Sequence, residues 1–262
     1  MERQDLRIAV VGTGAVGASV AADLVRAGLD VRLIDQWPAH VEAMRADGLT
    51  VDTLGDVQVT QVRAQHLCEV AELREPFDLV FTSVKTYDTR WVAELMRPLM
   101  RPDSVLVGLQ NGMTIDQVAA TLGADRTIGC AMGIAANLRE PGFVRRQVAT
   151  ADTWFSIGTL SGERTARLDD VAAVLAHAAQ IEVTDDIRSA KWMKLIANIP
   201  EMLPSALLGI PLLEAATMPG VRPVMDAMSR EAYALAIDLG ITMRPSLGIA
   251  AADVPDGDQY SL

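Results

Sequence analysis

The segment 6–35 narrows what this chain can fold into more than any other. An apolar run, Ile8-Ala9-Val10-Val11, leads into Gly12-Thr13-Gly14-Ala15-Val16-Gly17; a helix-like stretch, Gly28, a second apolar run over 31–34 and Asp35 follow. Strand, glycine-rich turn, helix, strand and terminal acid together form a dinucleotide-binding unit. The first glycine makes the turn, the second lets a pyrophosphate approach the backbone, and the third lets helix and strand pack closely. Free N–H groups at the start of the helix then face the phosphates. Gly12, Thr13, Gly14, Ala15, Val16 and Gly17 are therefore expected to line the cofactor, with Asp35 and Gln36 at its ribose. A bare glycine-rich turn would need none of the flanking elements.

The rest of the composition bounds the class. A chain of 262 residues, half of them apolar, can bury a large core and is expected to form two domains. A formal net charge of −11 argues against nucleic acid or an anionic membrane as the main partner, since both reward basic patches. Glu2, Arg3, Gln4 and Asp5 precede only a strand-length apolar run, which is not the order of a signal peptide. The apolar stretch 206–218 is short and carries Pro211 and Glu214, so it does not span a bilayer. The expectation is a soluble cytoplasmic protein. Cys68 and Cys130 read as reduced, buried small hydrophobes rather than a disulfide.

Apolar strand-like runs recur at 7–11, 31–34, 79–84, 105–109 and 127–132, separated mostly by helix-like stretches such as 15–27 and 89–99. This alternation predicts an α/β fold: a Rossmann-type doubly wound parallel sheet followed by a smaller all-α domain. Residues 50–62 read as an inserted hairpin, and 134–157 as antiparallel strands on the sheet's edge. A helix over 164–180 and a strand over 181–184 close the first domain. Long helical patterns at 187–208 and 221–239 place an NAD(P)-binding domain at 1–186 and a helical substrate domain at 187–262. The last stretch, 251–262, reads as a loop or frayed end.

Ligands of open α/β sheets bind at the carboxyl ends of the strands. Two polar segments sit there: Lys85 after 79–84, and Asn111-Gly112-Met113 after 105–109 by way of Gln110. Either could be a plain strand-end connection. A third segment, Lys191-Trp192-Met193-Lys194-Leu195-Ile196-Ala197-Asn198, puts Lys191, Lys194 and Asn198 at i, i+3 and i+7, on one helix face. The apolar residues between them, with Pro200 and Pro204 expected to kink the helix, suggest burial at an interface rather than a solvated stripe. A lysine in such a place has its pKa lowered toward the working range of a general acid. His40, His66 and His177 show no metal spacing, so no metal is expected. The 12 methionines read as core filling, and Trp37 as a staple onto the following helix more than an adenine contact.

In order, Gly12-x-Gly14-x-x-Gly17, Val84-Lys85, Gln110-Asn111-Gly112-Met113 and Lys191-Trp192-x-Lys194-Leu195-x-x-Asn198 resemble the motifs of the ketopantoate reductase, or 2-dehydropantoate 2-reductase, family, to about Gly240. The resemblance implies an oxidoreductase of pantothenate biosynthesis or a close relative, passing hydride from a nicotinamide to the keto carbon of a small 2-oxo acid. It further implies Lys194 as the acid protonating the new alkoxide, Lys85 and Asn111 beside cofactor and reacting carbonyl, and Asn198 and Lys191 toward the substrate. Three positions depart from the family. Met202 replaces a second asparagine and suits a more apolar ligand. Asp35-Gln36 stands where an arginine usually meets a 2′-phosphate, so NADH is favoured although NADPH is typical of the family. The family's Ser-Met segment and a substrate-holding Glu have no counterpart before Leu262, so the helical domain reads as shortened. A homodimer is compatible with the apolar surface this would leave. Two other readings are a β-hydroxyacid dehydrogenase, whose glycine-rich segment before the lysine is missing at 186–190, and a non-catalytic dinucleotide-binding module.

Overall fold

The computed structural model describes residues 6–243. They fall into two compact units, one of residues up to 110 with 114–187, the other of 111–113 with residues from 188 onward. In chain order the first unit contains β1 (Arg7–Val11), α1 (Ala15–Arg26), β2 (Asp30–Asp35), α2 (Pro38–Asp47), β3 (Leu49–Thr53), β4 (Asp56–Thr60), β5 (Arg63–His66) and β6 (Phe77–Thr82). Then come α3 (Thr89–Met96), β7 (Met100–Leu109), α4 (Ile115–Leu122), β8 (Thr127–Gly133), β9 (Ala136–Glu140), β10 (Phe143–Arg146), β11 (Trp154–Thr159), α5 (Ala166–Leu175) and β12 (Gln180–Val183).

Eight strands form the main sheet in the order β12-β11-β8-β7-β6-β1-β2-β5, and every neighbouring pair is parallel except β8 with β11. The run from β5 to β8 is the doubly wound order, and the chain reverses direction across the sheet between β1 and β6. The apolar runs forming β1 and β6 are buried throughout apart from Arg7, as strands covered on both faces require.

The hairpin expected at 50–62 is present as β3 and β4, but β9 and β10 correct the expectation for 134–157. They leave the main sheet and join the hairpin in a second sheet of order β4-β3-β10-β9; only β11 returns, antiparallel to β8. This second sheet lies on α1, which packs against β3, β9 and β10. Every residue from Gly17 to Leu24 is buried in consequence, Asp23 included. A helical stretch enclosed on all sides must be apolar all round, and 17–24 is, save Ser19 and Asp23. Asp23 is met by the fully buried Arg146 of β10, which donates to it at 2.5 Å.

Cys130 is buried as expected, but Cys68 is exposed, in a short 3-10 turn after β5 where Val70 supplies the buried side chain. The helix expected over 164–180 ends at Leu175, and its first turn is capped by the Thr165 hydroxyl, which accepts from Leu168 N–H.

The second unit contains α6 (Ile187–Leu208), α7 (Leu212–Thr217) and α8 (Val221–Asp238). α6 continues through Pro200 and Pro204. Ile196 packs with Ala232 and Ala236 of α8, alongside Trp192, Ile199 and Tyr233. Residues 251–262 lie outside the described residues. Among the described residues no helix is long and apolar enough to cross a membrane, and no group of His, Cys, Asp or Glu is placed to hold a metal ion.

Candidate active site

In the first unit, a pocket opens at the carboxyl ends of β1, β2 and β6. It is lined by Gly12, Gly14, Asp35, Gln36, Ser83 and Lys85 among others. The reasons for its three motif glycines differ. Gly12 has φ +86°, and a Cβ there would lie 2.6 Å from Val84 Cγ1 and 2.8 Å from Val84 N. At Gly17 a Cβ would fall 2.2 Å from Gly12 O and 3.0 Å from Ser83 Cβ, so α1 could not close onto the turn. Gly14 is the N-cap of α1 and lines the pocket, yet a Cβ there would meet no protein atom within 4 Å. No contact within the protein demands glycine at that position. The requirement is one a pyrophosphate would impose, so these residues fit a dinucleotide.

The contrast gives a prediction. Gly17→Ala lowers stability by about 1–3 kcal/mol through overpacking. Gly14→Ala costs no more than about 1 kcal/mol through poorer N-capping, yet weakens NADH binding at least about tenfold, or 1.4 kcal/mol. Urea denaturation and fluorescence titration of both variants read the two quantities separately. Unchanged NADH affinity in Gly14→Ala would mean the pyrophosphate does not pass this residue.

Asp35, a buried carboxylate, lines the same pocket. Its Oδ2 accepts from Thr13 N–H at 2.6 Å and from Thr13 Oγ1 at 3.0 Å, and its Oδ1 accepts from Trp37 N–H at 2.8 Å. Trp37 therefore begins α2 as a half-exposed residue on the pocket wall, stacked on His40. Lys85 is exposed at the pocket's edge, in the turn that continues through Tyr87 and Asp88 to Trp91. Trp91 donates its indole N–H to Asp88 at 2.6 Å, fixing one wall. Gln110, buried at the end of β7, donates to Val84 O at 2.7 Å and to Thr89 Oγ1 at 2.9 Å, and so pins this turn. Ser83, Asp88 and Trp91 belong to no motif and so escape sequence reasoning, and the pinning role of Gln110 escapes it because its bonds join segments that no local pattern connects.

The second unit gathers the other expected residues. Lys191, Lys194 and Asn198 all lie on α6: Lys191 is buried, while Lys194 and Asn198 are partly so. Burial holds the Lys194 ammonium below its ordinary pKa of 10.5, opposed by the Glu201 carboxylate. Asn198 Nδ2 reaches Asn111 Oδ1 at 3.4 Å, a long bond that aligns the two amides. Met202, in the place of the second asparagine, is exposed. Thus one unit holds the glycine turn, Asp35, Gln36 and Lys85, and the other holds Asn111, Lys191, Lys194 and Asn198.

Residues 8–161 match the family model described as ketopantoate reductase PanE/ApbA. The chain belongs to the ketopantoate reductase family. It is 30% identical to the 2-dehydropantoate 2-reductase of Mesorhizobium japonicum, with 90% of this chain and 77% of that protein covered. With the Nostoc sp. 2-dehydropantoate 2-reductase it shares 27% identity over 74% of this chain and 61% of the relative, so it spans less than two thirds of that protein's length. The crystal structure of 2-dehydropantoate 2-reductase from Geobacter metallireducens superposes with a TM-score of 0.82 at 30% identity, covering 93% of this chain and 79% of that one. The chain is therefore a ketopantoate-reductase-like oxidoreductase with a Rossmann-type sheet and a helical C-terminal region, in a family that depends on nicotinamide dinucleotides.

Proposed function

We propose that this member of the ketopantoate reductase family reduces the keto group of a small 2-oxo acid and prefers NADH to NADPH. The observation that carries the preference is Asp35 at the pocket rim, with both carboxylate oxygens fixed by Thr13 and Trp37. An acceptor-only carboxylate takes a hydrogen bond from a free 2′-hydroxyl and repels a 2′-phosphate. When bound, the reduced nicotinamide supplies the hydride.

The chain's own residues supply the rest. Gly12 to Gly17 and the first turn of α1 bind the pyrophosphate, with Gln36 beside Asp35 at the ribose. Lys85 and Asn111 orient the cofactor and the reacting carbonyl. Lys194 holds a proton at Nζ and gives it to the oxygen on which charge develops. An ammonium fixed for that atom favours the transition state over the ground state. Asn198, aligned by Asn111, donates to the substrate, and Lys191 offsets its carboxylate. Met202 in place of an amide favours a substrate with an apolar substituent.

The test is oxidation of NADH and NADPH followed at the reduced nicotinamide band, with ketopantoate and with 2-oxo acids of larger apolar side chains. The expected result is turnover with a kcat/KM for NADH at least about tenfold above that for NADPH, a difference of about 1.4 kcal/mol. No oxidation with any 2-oxo acid at high enzyme concentration would remove the assignment. An NADPH preference would remove the role given to Asp35. Oxidation of 3-hydroxy acids instead would transfer the chain to the β-hydroxyacid dehydrogenase chemistry.

A further inference from the structure

His40 lies outside every motif named above, yet it is completely buried beside the glycine turn. Its Nδ1 accepts a hydrogen bond from Gly142 N–H at 2.9 Å, in the turn between β9 and β10. Accepting there requires an unprotonated Nδ1, so the proton is on Nε2, which donates to Thr13 O at 2.8 Å. Burial favours this neutral form by holding the imidazole below its ordinary pKa, against the Thr13 carbonyl and the Asp35 charge.

Thr13 is thus held at both ends. Its carbonyl is fixed by His40, while its N–H and hydroxyl are both spent on Asp35 Oδ2. Trp37, stacked on the His40 ring with centroids 5.7 Å apart, donates its N–H to Asp35 Oδ1. A carboxylate oxygen has about two acceptor sites. Oδ2 has filled both with Thr13 and Oδ1 has filled one with Trp37, so Oδ1 keeps one site for a hydroxyl. The direction in which that site points depends on the carboxylate plane, which Thr13 sets.

We propose that His40 is a positioning residue for cofactor choice: by holding the Thr13 peptide it fixes the Asp35 carboxylate, and so makes the pocket discriminate between the 2′-hydroxyl of NADH and the 2′-phosphate of NADPH. The inference rests on the NADH reading above and extends it to His40, a completely buried side chain behind the pocket wall. It also gives the second sheet a part in the function, since Gly142 anchors the ring from β9–β10.

The experiment compares Kd for NADH and NADPH, by fluorescence titration without turnover, in the parent, His40→Asn, His40→Gln and Thr13→Val. Asparagine keeps an acceptor for Gly142 but falls short of Thr13 O, whereas glutamine carries an N–H donor to the Nε2 position. Valine keeps the shape of threonine and loses the hydroxyl. The ratio of the NADPH Kd to the NADH Kd is expected to fall at least about fivefold, the lower end of ordinary coupling between sites, in His40→Asn and Thr13→Val. In His40→Gln it stays within about twofold of the parent, the scatter of independent sites. Equal weakening of both nucleotides, or an unchanged ratio in Thr13→Val and His40→Asn, would overturn the inference while leaving the NADH reading in place. A parent that binds neither nucleotide, or both equally, would overturn the NADH reading and this inference with it. Should His40→Asn fail to fold, His40→Gln decides, since a ratio more than about twofold below the parent's would show that a donor at the Nε2 position does not set the discrimination.

Discussion

Replacing Lys194 with alanine lowers kcat for 2-oxo acid reduction by about 10²–10⁴-fold, the range ordinarily contributed by a positioned general acid. The loss falls on kcat more than on KM, because charge accumulates on the carbonyl oxygen only as hydride arrives. Lys194→Arg keeps a positive charge but cannot release it as a proton, so it restores substrate affinity without restoring kcat. The pH profile carries the sign. Lys194 must be protonated to act, and burial holds its pKa below 10.5, so activity falls as pH rises through that lowered value. Glu201 opposes the shift, so Glu201→Gln moves the alkaline limb to still lower pH. Single-turnover kinetics across pH for the four proteins tests both statements. An alanine variant within about tenfold of the parent, less than general acid catalysis supplies, would give the proton to another donor.

The elements with a strong period were legible in the sequence, and those defined by distant contacts were not. The pattern over 187–208 corresponds to α6 residue for residue, because a long helix prints its apolar face directly in the chain. β1 and the apolar parts of β6 (79–82) and β7 (105–109) were equally plain, whereas the starts of those two strands, with Asp78 in β6 and the polar 101–104 in β7, were not. For β9 and β10, alternation announces strands with one buried face but does not say which strands they join; pairing with β3 across some ninety residues decided that. Cys68 misled because thiols are usually buried, whereas here the 3-10 turn directs Val70 inward instead. Around the pocket, glycines and acid could be named in advance since the phosphate chemistry fixes their spacing. His40 could not, because its bonds reach Thr13 and Gly142 far away in sequence, and neither could the bonds by which Gln110 pins Val84 and Thr89.

The most local anomaly in the sequence of α1, an acid amid apolar residues, leads to the largest expected loss of stability. Arg146, with its side chain 1% exposed, donates to Asp23 Oδ2 at 2.5 Å, to Thr153 Oγ1 at 2.6 Å and to Ala178 O at 2.9 Å; Asp23 is also paired with Arg26. The side chain thereby ties β10 of the second sheet to α1 and to the loops flanking β11 and α5. Burial pushes the Asp23 carboxyl above its usual range, and Arg146 is the first of the two guanidiniums that oppose this. Arg146→Met leaves that carboxylate in the interior with Arg26 alone and strands two oxygen acceptors. Breaking a buried pair from one side costs about 3–5 kcal/mol, which for a unit of this size lowers Tm by roughly 6–20 °C. Replacing both members removes the stranded charge, since apolar substitutes of similar volume are often neutral or better. Asp23→Leu combined with Arg146→Met is therefore expected to be more stable than Arg146→Met alone, although it carries one more substitution. Urea unfolding of parent, both single variants and the double variant measures the coupling. A single variant that loses under about 1 kcal/mol, no more than an exposed pair is worth, would show that β10 is held to α1 by apolar contacts instead. Asp23 lies roughly 13 Å from Gly14 along the helix, at 1.5 Å per residue. The variants should consequently lose stability while folded protein keeps its NADH affinity, which separates the clamp on α1 from the pocket at its N-terminus.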